Sequence, residues 1–263
     1  MPAATTDSKY GIPPYPVRLF TVEEYHRLGE LGVLTEDDKV ELLEGWIVPK
    51  VIHVPCDDKG ITMTGGLDVA ITSAAIPPYP VHTFSVEDYE RLVETGVLTE
   101  DDKVELLEGW IVPMMTHGTV HGAIVGIVEE ALRSAVPQGW AVRGQLPVAT
   151  RTSMPEPDVA VVRGGHRDYM AKRPTTGDIG LVVEVADSSL ARDRQKASIY
   201  AQADIPVYWI VNLIDKMIEV HSQPDPESGK YNHTEKLAGE AVVAFVLDGQ
   251  PVAKLPVADL LPE

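Results

Sequence analysis

LVVEVADSSLARDRQKASIYAQADIPVYWIV, residues 181–211, decides the fold. It reads as strand, helix, strand. Leu181 to Val185 is apolar and β-branched, as in a strand buried on both faces. Glu184 interrupts that run. An ionised carboxylate in a buried strand costs several kcal/mol unless something pairs with it, so a metal ion or a nearby cation is expected. Ser188 or Ser189 can cap the helix that follows. Along it Arg192, Lys196 and Tyr200 recur every four residues and share one face. Asp204, Ile205 and Pro206 end the helix, and VYWIV begins a second buried strand. Two strands joined by such a helix lie parallel in one sheet, with the helix across them. Lys196 can then hang over the strand that carries Glu184.

The bulk of the chain sets the frame. Its 263 residues suffice for one large domain or two small ones, and 44% hydrophobic with 24% charged residues provides for a core. No apolar run reaches the roughly 18 residues of a membrane span. The first residues, MPAATTDSKYGIPPYP, lack a basic flank and an apolar stretch, so a cytoplasmic protein is expected. The lone Cys56 leaves no internal disulfide and no cysteine-rich zinc site. A net charge of −18 argues against non-specific adhesion to nucleic acid or anionic membranes. Local cations and a bound metal could still make a positive site.

Working outward, the chain contains a duplication. Residues 12–49 and 76–113 agree at 31 of 38 positions with an offset of 64. Near-identity without a third copy means a duplicated segment, not a solenoid. In each copy a capping box, Thr21 with Glu24 and Ser85 with Asp88, opens a helix near 22–30 and 86–94. Gly32 and Gly96 stop these helices. TEDDKVELLEGWIVP then gives a charged turn and a strand pair bending at Glu-Gly. Residues 50–75 suggest two strands around an Asp-Asp-Lys-Gly turn. The first copy reads as structural, an added strand pair or an oligomer contact. Trp46 and Trp110 read as core or interface fillers.

Beyond the second copy, residues 117–136 carry an apolar stripe at Val120, Ile124, Ile127, Val128, Ala131 and Leu132 and form a helix. Residues 140–150 alternate as a strand. PEPDVAVV, 155–162, is a strand with Asp158 at its mouth, and 163–179 is a polar loop. Residues 216–221 fold back on 207–212 as a hairpin. A turn-rich loop at 222–230 precedes two strands near 231–237 and 241–246.

Asp158, Glu184, Lys196 and Glu108 stand out chemically. Two carboxylates on neighbouring strands can hold a hard cation such as Mg²⁺. A lysine beside them can orient or deprotonate a water and offset charge developing on a phosphate. His117 and His121 lie four apart, but HGTVH lacks the glutamate of a zinc-protease helix.

The ordered pieces TFSVEDYERL, ELLEGWIV, MTHGTVHGAIV, PEPDVAVV and VVEVADSSLARDRQKASIYAQADIPVYWIV resemble the Uma-type restriction endonuclease family of the PD-(D/E)XK nuclease superfamily. The resemblance covers roughly residues 79–221. It implies an α/β fold, a mixed β-sheet flanked by helices, in a catalytic domain at 76–263; the residues before it read as an N-terminal β-rich extension at 1–75 that holds the first copy. It implies Asp158 and Glu184 as ligands of Mg²⁺ or Mn²⁺, Lys196 as the catalytic lysine and Glu108 as an auxiliary acid. His121, Gln145 and Tyr200 would border the site. The superfamily places its third motif residue two after the glutamate, which is Ala186 here, and the lysine moves to the next helix. The expected activity is a Mg²⁺-dependent endonuclease acting on DNA, with no membrane partner and a homo-oligomeric, dimeric state. The alternatives are a non-catalytic binding or assembly module on a nuclease-like fold and a hydrolase of small phosphate esters.

Overall fold

The computed structural model describes residues 10–50, 76–77, 80–115, 118–171 and 173–262. The hairpin expected within 50–75 lies almost wholly outside them, as do Cys56 and His117. The chain divides into two compact units, Met1–Met114 and Met115–Glu263. Both copies of the duplicated segment thus fall in the first unit, where they pack on each other.

In the first unit, β1 (Tyr10–Gly11) leads into α1 (Val22–Glu30) and the hairpin β2 (Val40–Leu43) and β3 (Trp46–Pro49). The second copy repeats the plan with β4 (Val81–His82), α2 (Val86–Glu94), β5 (Val104–Leu107) and β6 (Trp110–Pro113). The helices begin where the capping boxes predict. Thr21 accepts from Glu24 N at 3.2 Å while Thr21 N donates to Glu24 at 2.8 Å, and Ser85 and Asp88 repeat the exchange. Each hairpin turns on two residues with positive φ, Glu44-Gly45 and Glu108-Gly109. That conformation matches the right-handed twist of the flanking strands. Leu28 and Leu92 are fully buried beneath their helices.

The copies meet through equivalent residues. Phe20 and Phe84 lie with ring centroids 5.6 Å apart. Arg18 N donates to Ile111 O at 2.8 Å, and reciprocally β3 of copy one contacts β4 of copy two. The Arg18 guanidinium bridges Glu24 of its own copy at 2.6 Å and Asp102 of the other at 2.7 Å.

Among the described residues of the second unit, six strands form one mixed sheet. They are β7 (Trp140–Gly144), β8 (Val159–Arg163), β9 (Ile179–Ala186), β10 (Val207–Asn212), β11 (Met217–Asp225) and β12 (Lys230–Ala238). The spatial order is the chain order. β9 and β10 are parallel, joined by α4 (Leu190–Gln202) as expected, and the other neighbours are antiparallel. One sheet face packs Val183 and Val185 against Ile124, Val128 and Leu132 of α3 (Thr119–Ala135), with Phe245 from the hairpin β13 (Val242–Leu247) and β14 (Gln250–Pro256). The other packs Val182 and Ala186 with Tyr200 of α4 and Ile205 just beyond it. All eight residues of β9 are buried. No described helix is long and apolar enough to cross a membrane.

Several expectations shift. The buried stripe of α3 is His121, Ile124, Val125, Val128 and Leu132, while Val120 and Ile127 are exposed. The helical period was right, but the face is rotated because His121 turns inward. β7 ends at Gly144, since Gln145 takes a left-handed φ of 47° and its N–H goes to Asp158 O. β8 starts at Val159 because Pro155 and Pro157 have no N–H for a ladder. The loop expected at 222–230 narrows to a turn at 226–229, because β11 runs to Asp225 and β12 begins at Lys230. Pro224 is tolerated because β10 reaches only to Ser222 in register, so one side of Pro224 is an edge. A further strand, β14, follows the two expected at the end.

Candidate active site

Glu184 sits in the middle of β9 with only 4% of its surface exposed. Alternation along the strand turns it away from Val183 and Val185 and toward α4. Two residues one helical turn apart meet it there. Lys196 Nζ donates to Glu184 Oε1 at 3.0 Å, and Tyr200 OH donates to the same oxygen at 2.8 Å. The i, i+4 spacing delivers both to one point. Arg192, the third member of that spacing, is half-buried. Neither serine caps α4 as expected: Ser189 holds the cap position, but its hydroxyl donates to Asp193, four residues on, at 2.5 Å.

Asp158 stands one residue before β8. The register pairs Val159 with Val183, so one further step sets Asp158 opposite Glu184. Pro155 and Pro157 fix the extended approach, and Gln145 N grips the Asp158 carbonyl at 3.1 Å. The carboxylate accepts from Val185 N at 2.7 Å and lies 3.2 Å from His121 Nε2, both at Oδ2. His121 is one turn into α3 and 1% exposed. Burial pulls its imidazole toward the neutral form, but the hydrogen bond and charge of Asp158, aided by Asp187, outweigh burial and raise its pKa.

The surroundings carry negative potential. Burial first, and then the charges of Glu184 and Asp193, push the Tyr208 phenol well above its ordinary value. Among the described residues no three His, Cys, Asp or Glu side chains form a ready metal cage. Carboxylates in register on neighbouring strands are oxygen donors of the kind a hard divalent ion takes.

The second unit thus holds two contact groups, Glu184 with Lys196 and Tyr200 of α4, and Asp158 with His121 of α3. Gln145 contributes its backbone, while its side chain is exposed. Glu108 belongs to the first unit, where it is an exposed turn residue 3.5 Å from the Tyr15 hydroxyl. Two acids went unnoticed in the sequence. Asp187, just past β9, contributes charge at His121. Glu105, in the same hairpin as Glu108, is 3% exposed, whereas its copy-one equivalent Glu41 is exposed. Identical sequence around the two gave no signal of that difference.

Compared with known families, the chain matches the model described as "Uma2: Putative restriction endonuclease" over residues 86–251. Among solved structures, a protein described as a putative nuclease belonging to DUF820 from Anabaena variabilis superposes with a TM-score of 0.51 at 16% identity. The alignment covers 67% of this chain and 97% of that one. At that identity the likeness concerns the fold. No curated protein matches the chain.

Proposed function

The chain belongs to the Uma2 family of restriction-endonuclease-like proteins, and from that premise we propose that it is a metal-dependent nuclease acting on DNA. The observation that carries the reading is the buried Glu184, bonded by Lys196 and Tyr200 and in register with Asp158.

In this reading Asp158 and Glu184 hold Mg²⁺ or Mn²⁺. When bound, such an ion neutralises charge on the scissile phosphate and acidifies a water. The residues around it do the positioning. Lys196, as an ammonium bonded to Glu184, fixes that carboxylate and offers a positive charge to the phosphodiester. Tyr200 holds Glu184 from the same side. His121 and Val185 N hold Asp158 at one oxygen, which keeps the carboxylate from rotating.

The test is nicking of supercoiled plasmid with Mg²⁺, Mn²⁺ or EDTA, using wild type, Asp158→Ala and Glu184→Ala, with circular dichroism to show that the variants fold. We expect divalent-dependent cleavage that falls at least about 100-fold in either variant. Undiminished cleavage in either would overturn the reading. Cleavage of a nucleotide phosphoester but not of plasmid would move the substrate to small esters. The net charge of −18 favours a second reading, a non-catalytic binding module on the same fold. It predicts no metal-dependent cleavage at all.

A further inference from the structure

The first unit carries a feature that the nuclease reading does not use. A cavity of about 20 Å³ between the copies is lined by Val17, Arg18, Phe20, Trp46 and Ile47 and by the five residues that stand 64 positions after them. Each lining position of one copy recurs in the other. The contacts are reciprocal as well: the lead-in of copy one hydrogen-bonds β6 of copy two, and the lead-in of copy two meets β3 of copy one. Phe20 and Phe84, equivalent residues, face each other at the middle. A contact in which residue i meets j and j meets i is the signature of a twofold interface between identical chains.

We propose that the contact between the copies is a homotypic interface made internal by duplication, so that the face of copy two fits a second copy of the same segment from another molecule. In the intact chain, copy one occupies that face. Tethering sets its effective concentration at about the millimolar level, so it excludes a second molecule at ordinary concentration. The copies are not equal partners. Arg18 reaches Asp102 across the contact, and position 82 is histidine. A pairing of two copies one would place Arg18 near Asp38, the equivalent of Asp102, twice. A pairing of two copies two would have no such arginine. The proposal stands on the first unit alone and does not depend on the nuclease reading.

The experiment uses the full chain. Phe20→Asp with Ile47→Asp spoils the copy-one half and releases copy two. Phe84→Asp with Ile111→Asp does the reverse. Sedimentation equilibrium should give each double variant twice the wild-type mass, with the second dimer at least about tenfold tighter and more salt-sensitive. The quadruple variant should return to wild-type mass. A photoreactive phenylalanine analogue at position 84 of the first double variant should cross-link to the same region of another molecule. Wild-type mass in both double variants would overturn the proposal. A separate arm covers variants that do not fold. Wild type denatured and refolded near 1 mM should yield exchanged dimers, because intermolecular closure then competes with the tethered one, about millimolar in effective concentration. Refolding at micromolar concentration should restore the native mass. Native mass alone at both concentrations would likewise overturn it.

Discussion

Lys196 and Glu184 are each about 5% exposed and lie 3.0 Å apart. Such a pair adds little over an apolar one, but breaking it strands a buried charge. Lys196→Ala should therefore destabilise the fold by about 3–5 kcal/mol in urea unfolding. Lys196→Ala combined with Glu184→Gln should recover part of that loss, because no ionised carboxylate is left behind. A single-variant cost no larger than the double-variant cost would show that Glu184 is supported by other groups. Tyr200→Phe removes one hydrogen bond to a charged acceptor, worth about 1.5–3 kcal/mol. These residues were legible in the sequence because a lone glutamate in an apolar strand demands a partner, and four-residue spacing supplies one. Asp187 and Glu105 were not, because neither interrupts an apolar run conspicuously enough to stand out from ordinary surface acids.

Among the elements, the cap-bounded helices were the most legible. α1 and α2 coincide with the expected 22–30 and 86–94, since Thr21 and Ser85 leave one economical place to begin. Ser85→Ala should cost about 0.5–2 kcal/mol, read from thermal melting. Strand ends were less legible. Gln145 in a left-handed conformation ends β7 where the alternation in the sequence continues, and prolines at 251 and 256 hid β14. The copy-to-copy contact also predicts a pH response. Asp102 and Glu24 have burial pushing their carboxyls up, but bonds to Arg18 and to the backbone outweigh it and lower both pKa values. A lowered folded-state pKa contributes stability above the unfolded value, near 4, and loses it as pH falls through the folded value. Wild type should thus melt above Asp102→Asn at pH 7, and the gap should close as pH falls below the ordinary carboxyl value and through the lowered folded one. A gap that is constant with pH would remove the ion pair from the account.

At the scale of the molecule, a chain with a net charge of −18 that is to bind a polyanion, as proposed, needs a local feature to do so. If that feature is an ion held by Asp158 and Glu184, affinity for a short duplex should fall at least about tenfold when EDTA replaces Mg²⁺, read by fluorescence anisotropy. The family was legible through the resemblance of five ordered motifs, and the mixed sheet as what that resemblance implies. The packing of the two copies into one unit was not, since repeated sequence says nothing about whether copies meet. The most direct measurement is calorimetric titration of Mn²⁺ into wild type and into Asp158→Ala. The account predicts a saturable site in wild type that is absent from the variant. No heat of binding in wild type, or equal binding in both, would contradict it.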